Sequence, residues 1–167
     1  QVQALARAKA LDVAASTDPQ EAEVVVGCDS MLEIAGQVVG KPADAAQARE
    51  RWRMMSGGTG TLHTGHFLVR TADGTTAEGV SSATIRFGSP SPAEVEAYIA
   101  SGEPLWCAGA FTIDGLGGAF IEGIDGDPHG VVGISLPLLR RLLAALGVVW
   151  TDLWAPPPAT KPVDDAH

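Results

Sequence analysis

The sequence is poor in cysteine and has no long apolar run. Cys28 and Cys107 are its only cysteines, too few for a disulfide scaffold, so both thiols are expected to be free in a reducing cytoplasm. No apolar stretch approaches the roughly 20 residues that span a bilayer, and the first residues lack the charged-then-apolar order of a signal peptide. These absences count against disulfide-stapled and membrane-spanning proteins, and they predict a soluble, cytoplasmic one.

Basic residues are also scarce. Eleven lysines and arginines stand against 20 acidic side chains, which gives a formal net charge of −9. This balance counts against broad binding to a nucleic acid polymer or an anionic membrane through phosphate groups, although one local basic pocket could still hold a small polyanion. Apolar residues make up 46% of the 167 positions, enough to bury the core of one globular domain.

The most informative segment begins with three consecutive valines, residues 24–26. They predict a short strand that is buried on both faces, and Gly27 would let the chain turn out of the sheet. Asp29 would then lie at the carboxyl end of that strand, where ligands collect in open α/β sheets. The pattern of residues 32–39 predicts a hairpin. Asp29 and Lys41 flank it, so their opposite charges are expected to converge in one cleft.

Hydrophobic periodicity and turn residues predict the other elements. Apolar residues at helical spacing predict helices over residues 2–13, 42–55, 92–101 and 136–146, the third with a capping box formed by Ser91 and Glu94. Alternating or continuous apolar runs predict strands over residues 61–70, 75–87, 109–113 and 119–124. The second and third helices are expected to end at glycine-containing segments.

Eight short segments resemble, in the same order, those of the Maf family. They are Gly27-Cys28-Asp29-Ser30, Gly40-Lys41-Pro42, Met55-Ser56-Gly57, Thr64-Gly65, Tyr98, Gly102-Glu103-Pro104, Ala108-Gly109-Ala110-Phe111, and Gly126-Asp127-Pro128 followed by Val131-Val132-Gly133. The resemblance implies an inosine-triphosphatase-like α/β fold, a mixed, twisted central sheet flanked by helices with two lobes around a cleft. It implies one domain over residues 1–155 and a flexible proline-rich tail over residues 156–167.

The same resemblance implies hydrolysis of the α–β phosphoanhydride bond of a nucleoside triphosphate, standard or modified, to the monophosphate and pyrophosphate. Asp29 matches the family's catalytic carboxylate, a proton acceptor or a ligand of a divalent metal cation, Mg²⁺ or Mn²⁺; the sequence does not separate these roles. Lys9 and Lys41 match lysines that bind phosphate. Ser30 and Asp114 stand at positions tied to base selection. The family also implies a homodimer.

Four features depart from the family's pattern. The N-terminal Ser-x-Ser-Pro-Arg-Arg loop, which supplies arginine and backbone donors to the triphosphate, has no counterpart here, so the domain is expected to be incomplete at its N-terminus. Gly58 and Gly60 replace an arginine and a histidine, and Cys107 replaces a lysine. Asp114 replaces a glutamine by a group that only accepts hydrogen bonds when ionised. Base preference is therefore not transferred from the family members that act on thymidine or uridine triphosphate.

Two other functions remain open from the sequence. The missing arginine loop favours a catalytically impaired nucleotide-binding protein that regulates cell division or septum formation. A third reading is another type of metal-dependent phosphohydrolase, which would release single phosphate. Pyrophosphate release from a nucleoside triphosphate separates the pyrophosphatase from both the impaired nucleotide-binding protein and the other phosphohydrolase.

Overall fold

The structure, a computed structural model, describes residues 1–20 and 23–154. Its helices are α1 (Val2–Ala14), α2 (Ala45–Met55), α3 (Pro92–Ala100), α4 (Pro128–Val132) and α5 (Leu136–Ala145), and its strands are β1 (Val24–Ile34), β2 (Gln37–Val39), β3 (Thr59–Arg70), β4 (Thr76–Phe87) and β5 (Ile121–Gly126). Within these ranges no helix combines the length and apolarity needed to cross a membrane. The tail predicted over residues 156–167 lies outside the described residues.

The five strands form one sheet in the order β2-β1-β3-β4-β5. Every strand pairing in the described part of the chain is antiparallel. Successive side chains of a strand point to opposite faces, so the buried residues of β1 and β3 show which helix covers which face. Helix α1 packs on one face, and α2, α3 and α5 pack on the other. A central sheet with helices on both faces confirms the predicted α/β class.

Strand β1 is longer than the sequence suggested. Residues 24–33 each pair with a residue of β3, so the chain does not leave the sheet at Gly27. Asp29 pairs with Gly65 in the middle of the strand; the prediction that it lies at the strand's carboxyl end was wrong. Burial on both faces was wrong as well, because Val26 is exposed. The run of valines reflects strand propensity here, rather than burial on two sides.

The hairpin predicted over residues 32–39 is present, and the strands predicted over residues 61–70 and 75–87 form a second one. Strands β1 and β2 join across Ala35 and Gly36, whose φ angles are 49° and 72°, and the turn between β3 and β4 contains Gly74 at φ 72°. Positive φ is the conformation that glycine adopts without steric cost. Strand β2 pairs only with residues 32–34 of β1. Within the described sheet, the outer edge of β1 at residues 28–31 is therefore not covered by a neighbouring strand.

Helix α1 lies unusually close to the sheet because two facing strand positions have no side chain. A Cβ atom added at Gly27 would come within 2.3 Å of the carbonyl oxygen of Ala6 and 2.7 Å of the backbone nitrogen of Ala10. One added at Gly65 would come within 2.7 Å of the backbone of Val2. Ala6 and Ala10 are fully buried against β1 and β3. Small residues on both sides thus set the height of α1 above the sheet.

The opposite face carries an aromatic core. The Trp52 ring of α2 makes edge-to-face contacts with Phe87 and Tyr98, at centroid distances of 6.2 and 5.7 Å. Such pairs stabilise a core by about 0.5–1.5 kcal/mol beyond the area they bury. The Trp52 indole nitrogen also donates a 2.9 Å hydrogen bond to the carbonyl of Ala110. The core therefore fixes the chain near residue 110, which borders the cleft described below.

Helix starts follow the capping residues. The capping box of Ser91 and Glu94 is present and confirms the predicted start of α3. Helix α2 begins at Ala45 rather than near residue 42, because the Asp44 side chain accepts a 2.8 Å hydrogen bond from the backbone nitrogen of Gln47. That bond satisfies one of the donors left free at a helix N-terminus, which fixes the start.

One predicted strand is absent. Residues 108–110 form a short 3-10 helix with Gly109 at φ 72° and Ala110 at φ 65°, a conformation that no strand accommodates. The strand predicted over residues 119–124 begins only at Ile121, after another 3-10 helix at Leu116–Phe120. The short helix α4 was not predicted, whereas α5 agrees with its predicted range to within one residue at its C-terminus.

Candidate active site

A cleft of about 560 Å³ lies beside the uncovered edge of β1. Its walls come from α1, from residues 28–31 of β1, from the turn after β2, from residues 106–112 and from the end of α4. Small-molecule sites in proteins occupy roughly 300–1,000 Å³, so the cleft has room for a nucleotide-sized ligand. The charged residues among those lining it are Lys9, Asp29 and Lys41.

Lys9 and Asp29 form an ion pair inside the cleft. The Lys9 ammonium lies 2.5 Å from a carboxylate oxygen of Asp29, and the two side chains are 57% and 17% exposed. The ammonium also donates a 3.3 Å hydrogen bond to the carbonyl of Cys28. Ala6 and Ala10 of α1 sit directly on Gly27 of β1. Lys9, on the same helix, therefore reaches the carboxylate of Asp29, which lies two positions after Gly27 in the strand. The close helix–strand approach therefore creates the pair.

Lys41 is placed by its backbone. The buried guanidinium of Arg51 donates hydrogen bonds to the carbonyl oxygens of Gly40 and, at 3.4 Å, of Lys41. Gly109 donates to the same Gly40 carbonyl at 3.0 Å. Burial lowers the pKa of Arg51 from its usual value. No ion pair in residues 1–20 and 23–154 involves the Lys41 ammonium, so its charge is available to an anion in the cleft.

A chain of hydroxyl groups connects three parts of the site. The buried Thr64 hydroxyl donates to the carbonyl of Gly130 at 2.8 Å. Its single proton is thereby used, so the 2.7 Å contact between Ser30 and Thr64 has Ser30 as the donor. This orients the Ser30 hydroxyl and ties β1 to α4 through β3. Removing Thr64 would leave the Gly130 carbonyl without this partner.

Burial disfavours the reactive, ionised form of the two thiols in the cleft. Cys28 and Cys107 both line it. Burial is the main cause that raises the pKa of each thiol above its usual value, and the Lys9 ammonium only partly opposes this at Cys28. A raised pKa keeps both protonated at neutral pH, and the thiolate is the nucleophilic form. The cleft therefore offers a carboxylate and two ammonium groups for chemistry, a combination suited to a phosphorylated ligand.

A family profile described as Maf-like protein matches residues 1–146 of the chain. The chain belongs to the Maf-like family. A relative from Streptomyces coelicolor is 56% identical over 153 residues, covering 92% of this chain and 74% of the relative. One from Salinispora tropica is 53% identical over 160 residues, covering 95% and 71%. Both carry the name nucleoside triphosphate pyrophosphatase.

A third Maf-like relative is a longer protein. A nucleoside triphosphate pyrophosphatase/Nudix hydrolase fusion protein of Bifidobacterium longum is 52% identical over 138 residues, which cover 83% of this chain and 29% of the relative. The resemblance inferred from short motifs is thus confirmed at the level of the family. These comparisons assign no role to an individual residue.

Four of the five residues that the Maf-like motifs singled out lie in the cleft. They are Lys9, Asp29, Ser30 and Lys41. Asp114 is not among the lining residues; its carboxylate accepts a hydrogen bond from the hydroxyl of Thr112, and Thr112 does line the cleft. A contribution of Asp114 to base selection therefore has to pass through Thr112, and it stays a prediction.

Sequence reasoning missed three residues that shape this Maf-like site. Arg51 fixes the Lys41 turn, but in the sequence it is one of several charged residues on an amphipathic helix. Thr64 belongs to the Thr64-Gly65 segment of the family resemblance, but that resemblance assigned it no role in the site. Trp106 lines the cleft and is 76% exposed, and no local pattern distinguishes it from a core tryptophan. The placement of all three depends on how different elements pack together, which hydrophobic periodicity does not reveal.

Proposed function

We propose that this chain is a nucleoside triphosphate pyrophosphatase, which hydrolyses the α–β phosphoanhydride bond to give a nucleoside monophosphate and pyrophosphate. The observation that carries the proposal is the convergence of Asp29, Lys9 and Lys41 in one nucleotide-sized cleft. It is supported by membership of a family whose relatives, at 53–56% identity over more than 90% of this chain, bear that name.

Each charged side chain has a chemical role in this reaction. Attack on phosphorus needs a group that accepts a proton from water, and Asp29 is the only carboxylate among the described residues that line the cleft. Negative charge develops on the non-bridging and leaving oxygens, and cationic groups positioned around them stabilise the transition state. Lys41, without an ion-pair partner in the described residues, and Lys9, once it turns from Asp29 to phosphate, are the groups that supply this charge.

The residues present fit a divalent cation that is shared with the substrate. No group of three or more His, Cys, Asp or Glu residues in the described ranges could hold a metal ion by itself. Mg²⁺ is commonly bound through one or two carboxylates together with substrate phosphates and water, which a site with Asp29 alone can provide. Bound there, Mg²⁺ or Mn²⁺ would neutralise phosphate charge and lower the pKa of the attacking water.

The decisive experiment measures pyrophosphate and single phosphate separately, with a panel of nucleoside triphosphates and either cation. We expect pyrophosphate release that chelation by EDTA abolishes and that added Mg²⁺ or Mn²⁺ restores. Release of single phosphate would instead indicate another phosphohydrolase. Nucleotide binding without turnover would indicate the impaired regulatory protein, which the relatives' names do not favour. Turnover that is unchanged in EDTA would contradict the metal requirement.

Replacing Lys41 with alanine should mainly weaken nucleotide handling. A hydrogen bond to a charged group contributes about 1.5–3 kcal/mol, so kcat/KM is expected to fall about 10- to 100-fold, most of it through KM. Lys41→Arg should recover part of the loss because it restores the charge. Arg53→Ala is the control, since Arg53 is exposed and pairs with Glu50 away from the cleft. Equal kinetics for Lys41→Ala and the wild type would contradict the assigned role.

The remaining expectations from the resemblance belong to the same proposal. Ser30 donates to Thr64 and lines the cleft, which supports a role in base selection, and Asp114 would act through Thr112. A cytoplasmic homodimer and a link to septum formation rest on the family alone. Sedimentation of the purified protein at several concentrations tests the homodimer directly, because a monomer throughout would contradict it.

A further inference from the structure

The least buried tryptophan described in this chain lies at the cleft. Trp106 is 76% exposed and lines the same cleft as Lys9, Asp29 and Lys41. The ring–ring contacts of the described residues connect Trp52, Phe87, Tyr98, Phe111 and Phe120, and Trp106 takes part in none of them. Exposing an indole forgoes a large burial gain. Packing against residues 1–20 and 23–154 therefore does not explain this side chain.

The backbone that carries Trp106 is firmly held. It ends the 3-10 helix Glu103–Trp106. The Glu103 carboxylate accepts 2.9 Å hydrogen bonds from the backbone nitrogens of Leu116 and Gly117 and from the hydroxyl of Tyr98. Three residues after Trp106, Gly109 bonds to the carbonyl of Gly40 at 3.0 Å. The backbone that carries the ring thus belongs to the same framework that positions Lys41, so little backbone order has to be gained when a ligand arrives.

The exposed face of an indole matches one part of the proposed substrate. The triphosphate is strongly anionic and suits the two lysines, whereas the base is flat and aromatic. Bases stack on aromatic side chains with little dependence on their identity, because every base has a π face. Leu5 and Val132, both exposed, line the same cleft and add apolar surface. The cleft therefore combines a charged part with an apolar, aromatic part.

We propose that Trp106 is a substrate-positioning residue that stacks on the base of the bound nucleotide, so that the site distinguishes nucleotides from polyphosphates without a base. This inference rests on the function proposed above. It predicts a contribution to KM that is similar for different bases. It does not predict selection of one base over another, which needs hydrogen bonds to base edges.

Kinetics of Trp106→Ala and Trp106→Phe with several nucleoside triphosphates test the proposal. Loss of one base–aromatic stack corresponds to about a 5- to 150-fold loss of binding, so we expect KM to rise about 10-fold or more for Trp106→Ala with little change in kcat. For Trp106→Phe, KM should return most of the way to the wild-type value. Inorganic tripolyphosphate, which has no base, should inhibit all variants equally. Trp154→Ala is the matched control, because Trp154 is 65% exposed and does not line the cleft.

Binding measurements keep this test independent of turnover. A non-hydrolysable α,β-methylene nucleotide should quench part of the fluorescence of the four tryptophans, and the quench should be lost in Trp106→Phe while tripolyphosphate causes none. If wild-type protein binds the analogue with this quench but releases no pyrophosphate, the proposed function fails and the stacking stands. An unchanged KM and an unchanged quench in the Trp106 variants would overturn the stacking. So would a loss of tripolyphosphate inhibition in these variants as large as their loss of nucleotide binding. Absence of nucleotide binding would overturn both.

Discussion

Replacing Asp29 with asparagine is expected to lower kcat for pyrophosphate release by about 10²- to 10⁴-fold, the range that a positioned general base contributes. Asparagine has the same shape and keeps an oxygen that accepts the hydrogen bond from Lys9, which lies 2.5 Å from the carboxylate. It cannot take a proton from water and is a poor ligand for a hard cation. The thermal unfolding midpoint should therefore change little while turnover is almost lost.

Glu33→Gln is the control for the loss of one negative charge from the same strand. Glu33 is exposed, pairs with His63 at 3.3 Å and does not line the cleft. Its replacement should leave kcat within about two-fold of the wild-type value, as is usual for a surface charge outside a site. Pure, folded Asp29→Asn protein with wild-type turnover would remove Asp29 from the mechanism and, with it, the assignment of this cleft.

Replacing Gly27 with alanine is expected to damage stability and activity together. The added Cβ would come within 2.3 Å of the Ala6 carbonyl oxygen and 2.7 Å of the Ala10 backbone nitrogen. Both are backbone atoms, which cannot rotate away as the end of a flexible side chain can. Overpacking of this kind costs about 1–3 kcal/mol or more, and each kcal/mol lowers the unfolding midpoint of a domain of this size by about 2–4 °C. Displacement of α1 would also carry Lys9 away from Asp29.

Gly40→Ala is a control for stability alone, since no heavy atom of the described residues lies within 4 Å of a Cβ at that position, whereas Gly40 itself lines the cleft. Thermal unfolding of both variants, followed by kcat of Gly27→Ala and the wild type measured well below their midpoints, separates the two effects. Loss of activity at a temperature where Gly27→Ala is fully folded would support the displacement of Lys9. Equal midpoints for the two variants would contradict the close approach of α1 to β1.

Local chemistry explains the correct sequence predictions. The hairpins follow from turn residues that tolerate positive φ, and the start of α3 follows from Ser91 and Glu94, which satisfy free backbone donors within four residues of each other. Gly27 shows where such reasoning fails. A glycine in a strand pattern permits a turn or a close approach, and only the position of α1 shows that the second applies.

By itself, the sequence predicted that Asp29 and Lys41 would line one cleft, because one short hairpin lies between them, and it showed the family motifs in the right order. The tertiary structure decided what surrounds them. Lys9 reaches Asp29 from a helix 20 positions away, and Arg51 and Trp106 join the site through packing of distant segments. The physical reason is that turns and caps depend on neighbouring residues, whereas a cleft is built from contacts between residues far apart in the chain.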